Sequence, residues 1–228
     1  MQYSELVATL RALLQEPLPG APAHMVMRPY SPEPSARSTA RFNNAVASLD
    51  ESRQGARHSA VLLLFYPVNE MSHFALIQRP TYDGVHSGQV ALPGGKQEEG
   101  ESLQATALRE THEEIGIASQ QVKIIGELTQ IYVAPSKFFI TPFIGLYDRR
   151  PEFVIDNYEV EEVLEVEFCR LLAKDVIKET EVTVRAGSIG TAQVTAPYFD
   201  LNEKVVWGAT AAILSELRQA VLAFASRQ

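Results

Sequence analysis

The stretch Pro93–Ile117, PGGKQEEGESLQATALRETHEEIGI, decides how this chain is read. The Gly94-Gly95 pair leads into an acidic segment carrying Glu98, Glu99, Glu101, Glu110, Glu113 and Glu114. Residues 101–115 contain no Pro or Gly and are rich in Leu, Ala, Gln, Arg and Glu, which predicts a helix. Ser102 or Gly100 can cap its start, and Gly116 suits the left-handed residue that ends many helices. Helical spacing puts Glu110, Glu113 and Glu114 on one face, at i, i+3 and i+4. Ala107, Leu108, Thr111 and Ile115 form an adjoining arc suited to packing on a sheet. Glu101 projects from the side opposite Glu110, the place of a structural residue, and His112 is rotated away from the carboxylate face.

Three like charges at this spacing cost an isolated helix roughly 0.2–0.5 kcal/mol per pair. Most acidic runs are simply solvated helix faces. The alternative is that the carboxylates hold a cation. Oxygen donors with no His or Cys cluster beside them select a hard ion, Mg²⁺ or Mn²⁺.

The full spacing separates these readings. Gly95, five residues, Glu101, seven residues, then Arg109-Glu110-Thr111-His112-Glu113-Glu114-Ile115-Gly116-Ile117 resembles the Nudix box of the Nudix hydrolases. The one departure is Thr111, where that pattern usually has an aliphatic residue. The resemblance implies an α/β chain, a Nudix-type α/β/α sandwich with a mixed sheet. It also implies metal-dependent hydrolysis of a nucleoside diphosphate linked to another moiety. In that setting Glu110 and Glu114 are expected as direct metal ligands, with Glu113 a third ligand or the general base. A backbone carbonyl of Gly94 or Gly95 is a further expected ligand, and Arg109 is expected to orient a carboxylate. The family can also take its base from a later loop, which keeps Glu159, Glu161 and Glu162 as alternatives.

The preceding segment, RPTYDGVHSGQVALPGGK (residues 79–96), resembles the corresponding part of coenzyme A diphosphatases. It departs from that subgroup at Leu92, where a Phe is usual, and at Gly84, where an Arg is usual. Trp207-Gly208-Ala209-Thr210-Ala211 is similar to the subgroup's C-terminal part. The implied reaction splits coenzyme A into 3′,5′-ADP and 4′-phosphopantetheine. Arg79, His86, Ser87 and Lys96 flank the box and are expected at the substrate phosphates. Hydrolysis of ADP-ribose or NADH is the alternative within the family. A non-catalytic ligand-binding regulator is the alternative outside it, although such a protein tends to lose box carboxylates that are intact here.

Composition bounds the rest. With 228 residues, 46% hydrophobic, the chain can bury a sizeable core. A net charge of -8 argues against broad binding to nucleic acid or acidic membranes. Cys169 is the single cysteine, so no intrachain disulfide is possible. The start, MQYSE, lacks a signal-peptide pattern, and Ala60–Val68 is too short to span a bilayer. The expectation is a soluble, cytoplasmic protein.

Residues 1–57 read as an N-terminal helical extension and 58–228 as the hydrolase domain. Leu6, Val7, Leu10, Leu13 and Leu14 stand at helical spacing, for a helix laid on the main domain or on a partner in a homodimer. Six prolines between Pro17 and Pro34 mark an irregular segment with several arginines. Strands are predicted over Ala60–Val68, Phe74–Arg79, Gln89–Leu92, Val122–Val133, Phe138–Tyr147 and Val160–Phe168, the last entering a short helix near Leu171. Pro142 predicts an edge position or a bulge. Val182–Val184 and Ala192–Ala196 predict a hairpin, and a last helix follows Trp207.

Overall fold

The twelve-residue strand β1 (Arg57–Val68) is the axis of the main sheet, and its alternating side chains divide the core in two. Ala60, Leu62, Leu64 and Tyr66 face one way, against Ala107 and Ile115 of the acidic helix. Leu63 and Phe65 face the other way, into a cluster with the N- and C-terminal helices. A strand buried on both faces needs a near-continuous apolar run, which AVLLLFY supplies. The computed structural model describes residues 1–30, 55–81, 88–134, 136–185 and 191–227.

Around β1 lie β2 (Met71–Gln78), β3 (Val90–Ala91), β4 (Gly94–Lys96), β5 (Lys123–Glu127), β6 (Ile131–Val133), β7 (Phe138–Leu146) and β8 (Glu162–Glu167). The path through this mixed sheet is β3-β2-β1-β7-β5, with β4 on β1, β6 on β7 and β8 on β2. β1 and β7 are parallel, whereas β4 runs antiparallel to β1. A second, antiparallel sheet holds β9 (Ile177–Arg185), β10 (Thr191–Leu201) and β11 (Lys204–Val206).

The helices are α1 (Tyr3–Leu13), α2 (Ala21–Met25), α3 (Leu103–Ile115), α4 (Phe168–Leu172) and α5 (Gly208–Ala225). α3 covers one face of the sheet, and α1 and α5 pack on the other, which gives the α/β/α layering. Leu6, Leu10 and Leu13 of α1 are buried there. Burying each such side chain contributes about 1.5–3 kcal/mol, so α1 is integral to the same core as the sheet. The irregular segment after it is described to Tyr30; Arg37, Arg41 and Arg53 lie outside the described residues.

Two sequence expectations need correction. Val122–Val133 is two strands, not one. Pro142 lies in β7, a central strand between β1 and the β5–β6 pair. Pairing on the β5–β6 side stops at Glu127↔Phe143 and resumes at Ile131↔Ile140, so the gap falls opposite Pro142. The ring's missing N–H therefore meets an interruption in the ladder, while its carbonyl accepts from Leu128 N–H at 2.9 Å.

A buried carboxylate ties the N-terminal segment to the rest. Glu216 of α5 accepts from Gly20 N–H (3.0 Å) and Thr129 N–H (3.1 Å) and pairs with His24 Nε2 (3.0 Å). One side chain thus joins α5, the turn into α2 and the β5–β6 connection.

Candidate active site

α3 begins at Leu103, directly after Ser102, one of the two caps expected from the sequence. Ser102 caps it, its hydroxyl accepting from Ala105 N–H at 3.1 Å, and Gly116 closes it in the left-handed region at φ 76°. Glu101 therefore precedes the helix, and the helical wheel misplaced it. Its carboxylate receives a two-pronged fork from Arg109, Nε at 3.0 Å and Nη2 at 3.2 Å. That fork holds the Glu101 carboxyl below the usual carboxylate range. Nη1 of Arg109 also reaches Glu110 (2.9 Å) and Glu113 (2.8 Å), and Nη2 donates to the Lys96 carbonyl (3.1 Å). Arg109 thus gathers three carboxylates and fastens α3 to β4.

Glu114, one turn on from Glu110, points inward and is 1% exposed. Its Oε2 accepts from Gly94 N–H at 2.8 Å, and Oε1 lies 3.3 Å from Nη2 of Arg79. Burial is the main cause that pushes its carboxyl up to about 8, against Arg79 and the Gly94 N–H, with Glu110 and Glu159 adding repulsion. Burial likewise raises Glu110 above its ordinary value, more than Arg109 lowers it. The glycine pair is what lets these acids approach. Gly94 has φ 150°, and a Cβ there would strike the Ala60 carbonyl of β1. A Cβ on Gly95 would fall on the carboxyl group of Glu110.

The expected residues do not all converge. Glu113 is 53% exposed and turned to Arg109. The Lys96 side chain is exposed, and its carbonyl is what engages Arg109. His86, Ser87 and Gly84 lie outside the described residues. Among the candidates in the later loop, Glu162 pairs with Lys204 at 3.0 Å. Glu159 instead adds its charge to both Glu110 and Glu114. Its loop is hung from the end of α3, with Val154 N–H on the Ile115 carbonyl and Asp156 N–H on the Glu114 carbonyl, each at 3.1 Å.

No group of three or more His, Cys, Asp or Glu side chains suited to a metal ion occurs among the described residues. The donors that are present still fit a hard divalent ion. Mg²⁺ is commonly held by one or two carboxylates, its remaining positions filled by substrate phosphates and water. Glu110 and Glu114 supply two oxygen donors beside a backbone cradle that a single Cβ would fill. In both, burial outweighs the neighbouring Arg and leaves the carboxyl raised, so a cation at the pair would favour the charged form.

Comparison with known proteins shows the family. The NUDIX domain model matches residues 56–183. The chain is 30% identical over 168 residues to the uncharacterized Nudix hydrolase NudL of Photorhabdus laumondii, covering 72% of this chain and 85% of that one. It is 33% identical over 118 residues to Nudix hydrolase 3 of Caenorhabditis elegans, covering 50% and 49%. Among solved structures, the Nudix hydrolase RenU of M. smegmatis shares the fold with TM-score 0.52 at 18% identity, over 74% of this chain and 87% of that one.

The chain belongs to the Nudix family. It is a Nudix hydrolase, with an α/β fold built on a mixed sheet. No described helix is long and apolar enough to cross a membrane.

Proposed function

We propose that this hydrolase cleaves the diphosphate of coenzyme A or its derivatives, giving 3′,5′-ADP and 4′-phosphopantetheine. The observation that carries the hydrolytic site is Glu114, a buried carboxylate anchored on Gly94 N–H next to Glu110. The choice of coenzyme A rests on residues 79–96 and 207–211. Leu92, where the subgroup has Phe, is buried in the core cluster behind the sheet, so that departure changes packing and not a substrate contact.

In this reading Glu110 and Glu114 hold Mg²⁺ or Mn²⁺, with a Gly94 or Gly95 carbonyl as a further donor. When bound, such an ion supplies charge neutralisation for the nonbridging diphosphate oxygens and Lewis acidity toward the attacking water. Arg79 and Arg109 keep the two carboxylates in place. Glu159 accepts the proton as water forms the new P–O bond and the bridging P–O bond breaks. Glu113, held by Arg109, is a third ligand or the alternative base.

A substrate panel with Mg²⁺ or Mn²⁺ tests the assignment. Coenzyme A is expected to show the highest kcat/KM among coenzyme A, ADP-ribose and NADH. Preference for either rival would overturn the coenzyme A reading and leave a diphosphatase of another substrate. Glu159→Gln is expected to lower kcat by about 10²–10⁴-fold with little change in melting temperature. An equal loss in Glu113→Gln, with Glu159→Gln at wild-type rate, would move the base to Glu113.

Gly95→Ala places a methyl where the Glu110 carboxylate lies. A ligand displaced by about 1 Å costs on the order of 10²-fold in rate. Activity should therefore fall that far while the chain still folds, as circular dichroism and turnover on one sample would reveal. Wild-type turnover would mean that Glu110 need not occupy this position.

A further inference from the structure

Glu114 is enclosed as well as buried. Both of its oxygens accept a bond and 1% of the side chain meets solvent, so an ion arriving from water reaches them only after a neighbour moves. The two groups bonded to it differ in what they can yield. The Gly94 N–H belongs to main chain held on β1, in register with Val61, and packed so closely that a Cβ would strike the Ala60 carbonyl. Arg79 instead offers a long side chain, 29% exposed, whose one ion pair among the described residues is the Nη2 contact of 3.3 Å.

The main chain at Arg79 is fixed. Its N–H donates to the Gln89 carbonyl at 3.0 Å, and the neighbouring Gln78 carbonyl accepts from Glu161 N–H at 2.8 Å. Displacement there falls to the side chain alone. The second arginine of the site is the contrast. Arg109 spends its donors on Glu101, Glu110, Glu113 and the Lys96 carbonyl, so no single acid releases it. At Glu114 the Arg79 guanidinium carries the same sign of charge that a divalent ion brings, and two cations at one carboxylate repel. Guanidinium and ion are therefore rivals for the same pair of oxygens.

We infer that Arg79 is the counter-charge a divalent ion must displace to reach Glu114, so that this side chain sets how tightly the site loads. Arg109 holds its carboxylates throughout, whereas Arg79 holds Glu114 until the cation takes over. The exchange rests on the reading of Glu114 as a metal ligand.

The test is calorimetric titration of Mn²⁺ into the full chain, stripped with EDTA and without substrate. Arg79→Gln removes the rival charge and should bind Mn²⁺ about tenfold more tightly than wild type, the scale of one charge-assisted hydrogen bond that no longer has to break. Arg79→Lys, which keeps the charge, should stay near the wild-type affinity. A residue that merely positions Glu114 predicts the opposite sign, weaker Mn²⁺ binding in Arg79→Gln. That result, an unchanged affinity, or equal tightening in Arg79→Lys would overturn the exchange. Melting curves add a second readout. In EDTA, Arg79→Gln should melt below wild type, because Glu114 has lost its partner, and saturating Mn²⁺ should close that gap. Should the variant be unfolded in EDTA, refolding on Mn²⁺ supports the exchange and failure to refold overturns it. Glu114→Gln separates the exchange from the ligand assignment. Mn²⁺ binding at wild-type strength in that variant would remove both. Loss of Mn²⁺ there, with no tightening in Arg79→Gln, would remove the exchange alone.

Discussion

Glu114→Gln is expected to lower kcat about a thousandfold or more without unfolding the protein. A metal-held diphosphate draws several kcal/mol of transition-state stabilisation from the ion, and about 4 kcal/mol corresponds to about 10³ in rate. Glutamine is nearly the same shape and still offers an oxygen to Gly94 N–H, but it carries no charge to hold the cation. The fold should tolerate the change, because burial already disfavours the charged form of this side chain. Turnover titrated against Mg²⁺ and Mn²⁺, alongside a melting curve, checks both halves. Full turnover at ordinary metal concentrations would remove Glu114 from the ligand set.

The second large effect concerns stability. Glu216→Ala should cost about 3–5 kcal/mol, the range for removing one partner of a buried charged pair. It strands the Gly20 and Thr129 N–H groups and buried His24 together. For a chain of this size that corresponds to a melting temperature lower by roughly 10 °C. A drop of only a degree or two would mean that water or rearranged backbone replaces the carboxylate.

The same site gives a pH dependence with a definite sign. Burial pushes the Glu216 carboxyl up, but the bonds from His24, Thr129 and Gly20 outweigh it, and the group ends below its ordinary value of 4.5. A carboxyl depressed in the folded state adds stability above its unfolded pKa and loses it as pH falls through the folded one. The stability gap between wild type and Glu216→Gln should therefore be full at neutral pH and close below about 4.5. Denaturant midpoints measured across that range would expose it. A gap that widens in acid contradicts the assignment.

What could be read along the chain was whatever depends on near neighbours. The i, i+3, i+4 acids, the left-handed stop at Gly116 and the apolar run of β1 are local patterns, and each element formed where its pattern lay. With Ser102 as the cap, Glu101 lies outside the helix. A helical wheel then assigns Glu101 a direction it does not have. Its partnership with Arg109 comes from the approach of a loop to a helix, to which residue spacing is blind.

The sequence by itself determined the family motif, the acidic helix and the cores of most strands, since these follow from backbone periodicity and side-chain type. Only the tertiary structure decided that Glu114 faces inward while Glu113 turns to Arg109, that the loop after β7 hangs from the end of α3, and that α1 belongs to the core. Strand register and the crossing of distant segments settled those matters. They depend on how faces pack, a quantity fixed jointly by residues far apart in the chain.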